Sequence, residues 1–347
     1  MCKNSRIYRP LYKHDRIERI TCGGNTALHA GWVEGAEQLV DLLDPARTAR
    51  VVLLTDGQAN VGVVRPDEIA ADVGRMAAHG VATSAIGLGR HFNEDLLARV
   101  AEAGRGRFQH AETPAELEGI MAAELIGIDA TVARRVRARF EADGVAAEVV
   151  EVLNDVVTDG EELVLPDLVA EMPLTVAGTL HVRPAKPHLE RRLGTVELSW
   201  TDVAGRRRST SIDVVGRTLT TSEYAAAPED PDVAVAVAVL TAARHRLAAM
   251  RALDRFDDRA VETELFAAEA ILAAAPDVER VQRERASLER VRQALRDRDR
   301  NMARKRFSAQ HAATSADFDH DVLMRSHRFA TKQEALDARR GARTFGE

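Results

Sequence analysis

The chain has 347 residues, 45% of them apolar and 29% charged, with a formal net charge of -6, the make-up of a folded protein with room for two or three domains. The acidic balance argues against general nucleic-acid binding, which asks for a basic excess. The only cysteines, Cys2 and Cys22, form neither a disulfide framework nor a zinc set and suit a reducing compartment. MCKNSRIYRP lacks the apolar stretch of a signal peptide, and the longest apolar run, Val233 to Leu240, is far short of the roughly 20 residues of a bilayer span. The expectation is a cytoplasmic chain with no membrane span.

Residues 1–20 carry Ile7, Tyr8, Leu11 and Tyr12 around Pro10, which cannot donate within a central strand, so they read as an arm or at most an edge strand. From Thr21 the pattern sharpens. CGGN offers a turn, Thr26 can cap a helix, and Leu28, Trp32, Ala36, Leu39 and Leu43 recur at helical spacing. VVLLTDGQAN, residues 51–60, places four apolar residues before a turn bearing Asp56, the pattern of a central parallel strand that delivers a carboxylate to a crevice. Pro66 then opens a helix with Ile69, Val73 and Met76 as its buried stripe and Gly80 as its end.

ATSAIGLG, residues 82–89, is the next strand, followed by a helix capped by Asn93, with Leu96, Leu97 and Val100 inward and Gly104 at its stop. Arg107 to Ala111 makes a third strand, and Thr113, Pro114 and Glu116 compose a capping box ahead of Leu117, Ile120, Met121 and Leu125. Alternating strands and helices mean a parallel sheet wound on both faces. After Gly127 the period shortens to strands at 130–140, 145–153, 163–165, 174–182 and 196–200, with a hairpin through Asp202 to Gly205, so 127–222 reads as a β-sandwich-like module. AAAPEDPD marks a linker at 223–232. Three Ala-rich helices follow, Val233 to Leu253, Ala260 to Ala275 and Val278 to Lys305, giving a helical segment at 233–307 and a polar tail at 308–347. The third helix is basic, and its charges read as a solvated face.

GGNTAL at 23–28, VVLLTDGQAN at 51–60 and TSAIGLGRHFNEDLLARVAEAGRGRFQHAETPAELEGIM at 83–121 together resemble, in order and spacing, the second half of a von Willebrand factor A (VWA) domain. The layout is similar to the bacterial multidomain type labelled Ca-activated chloride channel homologues, in which a β module and a helical segment follow. The resemblance implies an incomplete doubly wound α/β domain at 21–126. It also implies a metal-ion-dependent adhesion site for Mg or Mn, built from an Asp-x-Ser-x-Ser loop, a threonine and an aspartate; Thr26 and Asp56 stand at the last two positions. A hard cation of this kind wants oxygen ligands in octahedral array and can leave one position for a partner's carboxylate. No Asp-x-Ser-x-Ser occurs in the sequence, so the implied site is incomplete and its divalent-cation dependence is weakened or lost. The family's strand beside VVLL is missing with that loop, which leaves a sheet edge open to pairing by the arm, by another chain, or by a segment from a start upstream of Met1, the last being the expectation.

The function expected is therefore non-catalytic protein–protein interaction, with another protein docking, through a carboxylate where a cation assists, at a crevice lined by Asn25, Thr26, Asp56 and Gln58. An adaptor subunit of an ATP-driven, chelatase-type complex is the alternative, with the ATPase on a separate protein because no Walker motif occurs here; a remnant of a longer VWA protein is another. An enzyme on a dinucleotide fold is disfavoured, because Phe92 stands where the third glycine after Gly87 and Gly89 belongs. Asp317, Asp319 and Asp321 imitate a calcium loop without its glycine or its terminal glutamate.

Overall fold

The computed structural model describes residues 25–44 and 48–315. The arm at 1–20, both cysteines, Gly23 and the acidic tail lie outside the described residues.

The first unit alternates helices and strands: α1 (Leu28–Val40), β1 (Ala49–Thr55), α2 (Pro66–His79), β2 (Val81–Leu88), α3 (Glu94–Ala103), β3 (Arg105–Ala111) and α4 (Pro114–Asp129). The strands form a parallel sheet in the order β1-β2-β3, with Ala49 opposite Val81 and Thr83 opposite Arg105. Alternation along each strand sends Val51, Leu53, Val81, Ala85 and Phe108 to one face, against Trp32 of α1, Ile69 and Val73 of α2, and Leu97 and Val100 of α3. Val52, Ile86, Leu88 and Ala111 point the other way, onto Leu117, Ile120 and Met121 of α4. Trp32 is 2% exposed and donates from Nε1 to Thr83 Oγ1 at 3.0 Å, so the bulkiest core side chain is also satisfied as a donor.

The most buried strand is β2, not β1. Six of the eight β2 residues are buried, whereas Thr55 alone is buried in β1 and Leu54 is 46% exposed. Among the described residues no strand pairs with the outer side of β1, which is the open sheet edge expected beside VVLL. Helix ends follow the local rules in part. Gly80 closes α2 at φ 107°, which a residue with a Cβ adopts only at a cost. Asn93 caps α3 through Leu96 N at 3.0 Å. Thr113 caps α4, but the Glu116 carboxylate accepts from Glu112 N rather than from the cap residue itself. Thr26 does not cap α1; Ala27 takes that position without a side-chain bond, since Thr26 is bonded elsewhere.

The second unit is antiparallel. β4 (Thr131–Ala142), β5 (Ala147–Val152), β6 (Thr158–Asp159), β7 (Glu162–Val164), β8 (Leu168–Val169), β9 (Gly178–Val182), β10 (Glu190–Asp202) and β11 (Arg207–Arg217) form a main sheet, β11-β10-β4-β7-β6 with β8 on β4, and a separate ribbon, β5-β9. The β module therefore comprises one main antiparallel sheet and one short ribbon. Its hairpin turn is held by Asp202, whose Oδ1 accepts from Ala204 N at 3.0 Å and Arg206 N at 2.9 Å. Those bonds, with arginines 206 and 208 beside it, lower the Asp202 carboxyl to about 2.

The expected linker contains a short helix, α5 (Thr221–Ala226), with a full capping box between Thr220 and Glu223. Four helices follow, not three: α6 (Pro231–Asp254), α7 (Asp258–Ala274), α8 (Glu279–Arg296) and α9 (Arg300–Ser315). The expected third helix breaks at Arg298, which sits at φ 57°, and Asp299 restarts the chain by accepting from Met302 N at 3.0 Å. Helix α9 runs through the boundary expected for the polar tail, and its Ala309 and Ala312 pack on the α/β core. By length and composition α6 could cross a membrane, which the run-length reading overlooked; half of its apolar window is buried in the fold, as in the core helix of a bundle. Inside the bundle Arg246, 1% exposed, pairs with Glu284 and donates to Thr314 Oγ1 at 3.0 Å, tying α6, α8 and α9 together.

Candidate functional site at the crest of the sheet

In a parallel sheet the backbone leaves each strand at its C-terminal end, and the loops there form the crest where ligands collect. The loop after β1 is shaped by side-chain hydroxyl and amide groups. Thr55 Oγ1 donates to Gly57 O at 3.1 Å and accepts from Gly57 N at 3.2 Å, turning the chain so that Asp56 projects outward. Asn60 Oδ1 accepts from Thr26 N at 2.6 Å, and Asn60 N donates to Thr26 O at 3.1 Å. This reciprocal clip holds Thr26 against the turn: a Cβ on Gly57 would lie 3.7 Å from Thr26 Oγ1.

The sequence-predicted residues are therefore brought to one place, with differing roles. Thr26 is half-buried against the Asp56–Gly57 turn, Asn25 is exposed beside it, and Asp56 is exposed. Gln58, also exposed, faces a cleft of about 370 Å³ shared with Arg90, Asn93, Asn301, Arg304 and Lys305. As metal ligands, Thr26 and Asp56 offer one hydroxyl and one carboxylate. No group of three or more His, Cys, Asp or Glu side chains converges among the described residues. A hard cation seeks six oxygens, so these side chains do not fit a complete Mg or Mn cage.

The other wall of the crest comes from α9, which the sequence reading did not place there. Lys305, one of five lysines in the chain, is 1% exposed. Its Nζ donates to Phe92 O at 2.8 Å and Glu94 Oε2 at 2.5 Å, and stands 4.1 Å from the centroid of the Phe92 ring. Arg304 bonds Glu94 at 2.7 Å and Asp95 at 2.9 Å, and pairs with Asp254 at 2.5 Å; Arg306 grips Glu112 at 2.7 and 2.8 Å; Arg90 pairs with Asp299. The basic charges of α9 are thus internal clamps, so the solvated face expected of the third basic helix does not extend to Arg304, Lys305 and Arg306, whereas the Arg296 side chain on α8 is 53% exposed. Only the density of cations in Arg304-Lys305-Arg306, set beside the acids of Asn93-Glu94-Asp95, could have signalled the contact.

These clamps set the titration of the crest. Burial pushes the Glu94 carboxyl up, but hydrogen bonds from Lys305, its own backbone and Arg304 outweigh that and hold it below 4.5. The Arg306 guanidinium likewise lowers Glu112, against the opposing effect of burial. By contrast, no hydrogen bond or ion pair engages the Asp56 carboxylate among the described residues. Phe92 itself lies over Gly87, where a Cβ would meet its ring at 2.4 Å, so the loop after β2 is filled by an aromatic side chain.

Comparison with known proteins bears on this arrangement. No protein-family model matches the chain. The protein YfbK of Escherichia coli (strain K12), itself described as uncharacterized, is 29% identical over 126 residues, 36% of this chain and 22% of YfbK. Among solved structures, a von Willebrand factor type A protein from Catenulispora acidiphila aligns at TM-score 0.56 and 16% identity, over 79% of this chain and 64% of that one. The human COPII-coat protein Sec24c aligns at TM-score 0.52 and 12% identity, over 76% of this chain and 36% of its own. The chain thus spans under a quarter of YfbK and under two thirds of the Catenulispora structure. The Catenulispora alignment covers far more than the α/β unit alone, so the β and helical units enter the likeness too. The three-stranded sheet, its flanking helices and this similarity together show that the chain carries a von Willebrand factor A-like domain.

Proposed function

We propose that the chain is a non-catalytic protein-interaction module whose partner docks at the crest around Asp56, with Asn25, Thr26 and Gln58 as the flanking contacts. The observation that carries this reading is the contrast in pairing: Glu94, Asp95 and Glu112 are each held by a cation of α9, whereas Asp56 is presented outward by a turn and clip that fix its position and leave its oxygens to another molecule. A fixed, unpaired acceptor beside polar neighbours suits a rim that recognises an arginine, a lysine or a backbone N–H of a second protein. The VWA-like fold suggests an interaction role by fold-level analogy, and the site's chemistry carries the rest of the argument. Divalent cations enter as helpers at most: with two side-chain donors here, tight coordination needs further oxygens, among them the partner's own carboxylate.

The test is affinity capture from the native host with the wild-type chain and with Asp56→Ala, each in Mg and in EDTA. Specific prey that disappears with Asp56→Ala supports the reading, and weakening by EDTA would add cation assistance. Prey captured equally by both proteins in both buffers would remove the crest as the docking surface.

A further inference from the structure

We infer that the cleft at the opposite end of the sheet, where the α/β unit meets the β module, is a binding site for a phosphate-type oxyanion held by Arg105 and Arg135. The cavity measures about 520 Å³. Its walls come from the N-terminal ends of the strands and from the β module, including Thr48, His79, Arg105, Arg135, Asp167 and Thr201.

Arg105 is half-buried, yet its guanidinium makes no hydrogen bond or close ion pair among the described residues. A guanidinium carries five N–H donors, and none of those of Arg105 is engaged by the described residues. Arg135 is exposed but also lacks a side-chain partner among the described residues: its backbone N–H donates to Asp167 Oδ1 at 3.2 Å, and Nη2 ends 3.6 Å from where a Cβ on Gly80 would stand. Two carboxylates line the cleft, Asp44 and Asp167, and both are engaged: Asp167 Oδ2 accepts from Arg50 at 3.3 Å, while Arg50 also holds the buried Glu124 at 3.0 Å. Arg134 lines the cleft as a further cation.

The backbone agrees with the side chains. Arg105 and Arg135 both sit in the left-handed region, at φ 53° and 54°. Such conformations in a residue with a long side chain are uncommon, cost energy and cluster at ligand sites. Here they aim two like charges into one cleft. Burial depresses the Arg105 pKa, repulsion from arginines 135 and 137 depresses it further, and Asp167 opposes them only in part. An anion between the two guanidiniums offsets that repulsion and gives their N–H groups charged acceptors.

The donor count selects the ligand class. Two unpaired guanidiniums present about ten N–H groups, more than the two oxygens of one carboxylate satisfy, whereas a tetrahedral phosphate offers three or four oxygens for forked pairing. The cleft has room for a body attached to that phosphate, which is either a small phosphorylated molecule or a phosphorylated side chain. This site is separate from the crest and stands without it.

The experiment is calorimetric titration of the full chain, in low salt, with inorganic pyrophosphate in one arm and a phosphoserine peptide in the other. Arg105→Gln, Arg135→Gln and the remote control Arg296→Gln, on the exposed side of α8, are titrated alongside, with melting curves on each. The expected result is saturable binding in at least one arm, weakened at least tenfold by Arg105→Gln and by Arg135→Gln and unchanged by Arg296→Gln. The tighter arm then names the source of the phosphate. Arg135 is exposed, so its variant keeps the test decisive where Arg105→Gln fails to fold. Absence of saturable binding in both arms, or equal affinity in wild type and Arg135→Gln, would overturn the assignment.

Discussion

Asp56 and Glu94 stand on neighbouring loops of the same crest and are opposite in design. Glu94 is 8% exposed and receives Lys305 and Arg304 from a helix more than 200 positions away, at 2.5 and 2.7 Å. Asp56 is exposed and receives nothing among the described residues. The difference separates two uses of a carboxylate at the end of a parallel strand. One is spent inside the molecule, holding the helical unit against the α/β unit, and its loss should be read in stability. The other contributes little to the fold, and its loss should be read in binding.

That contrast can be broken most forcefully at the buried pair. Glu94→Ala leaves Lys305 charged and enclosed, which costs on the order of 3 to 5 kcal/mol in comparable buried pairs; urea unfolding should show a lower midpoint of the transition that includes α9. The double variant Glu94→Gln with Lys305→Met should recover much of that loss, because an apolar side chain needs no counter-charge there. Equal stability of wild type and Glu94→Ala would mean that the clamp does not hold the two units together.

Acid provides the next largest effect. Glu94, Glu112 and Glu124 all have carboxyl groups held below the ordinary value of 4.5. A carboxyl whose pKa is depressed on folding contributes stability that is complete above its unfolded value and is lost as pH falls through the folded one. Melting temperature should therefore be flat with respect to these groups above about pH 4.5 and decline below it, with a shallower decline in Glu94→Ala. A smaller loss, of about 0.5 to 1 kcal/mol, is expected for Arg306→Ala, since the Arg306 and Glu112 side chains are 21% and 31% exposed and partly screened by water. Asp56→Ala comes last on this scale: unfolding should change by less than about 0.5 kcal/mol, as for other exposed positions without structural partners.

Much of the α/β unit was legible because its signals are local. Asn93 three residues before Leu96, Pro66 at a first turn and Gly80 after a helical stripe act within a few residues of themselves, and all reappear in the structure. The cluster of Thr26, Asp56 and Gln58 was legible by resemblance rather than by spacing, since no local rule relates residues 26 and 56. What holds Thr26 there is Asn60, an ordinary turn residue in the sequence, and its reciprocal bonds span 34 positions. The placement of α9 was not legible for the same reason: the partners of Lys305 lie 211 and 213 positions away. Nor was the break at Arg298, where Asp297-Arg298-Asp299 contains neither glycine nor proline to signal the left-handed φ of 57°. Four apolar residues in a row report the faces of β1, not whether both of its edges are paired; its edge position among the described residues is the open edge expected beside VVLL from the missing neighbour strand.

The most direct measurement is the affinity of a purified captured partner for the wild-type chain and for Asp56→Ala at equal melting temperature. Docking at the crest predicts at least a tenfold higher Kd for the variant with no change in its unfolding. An unchanged Kd in a folded Asp56→Ala protein would contradict it.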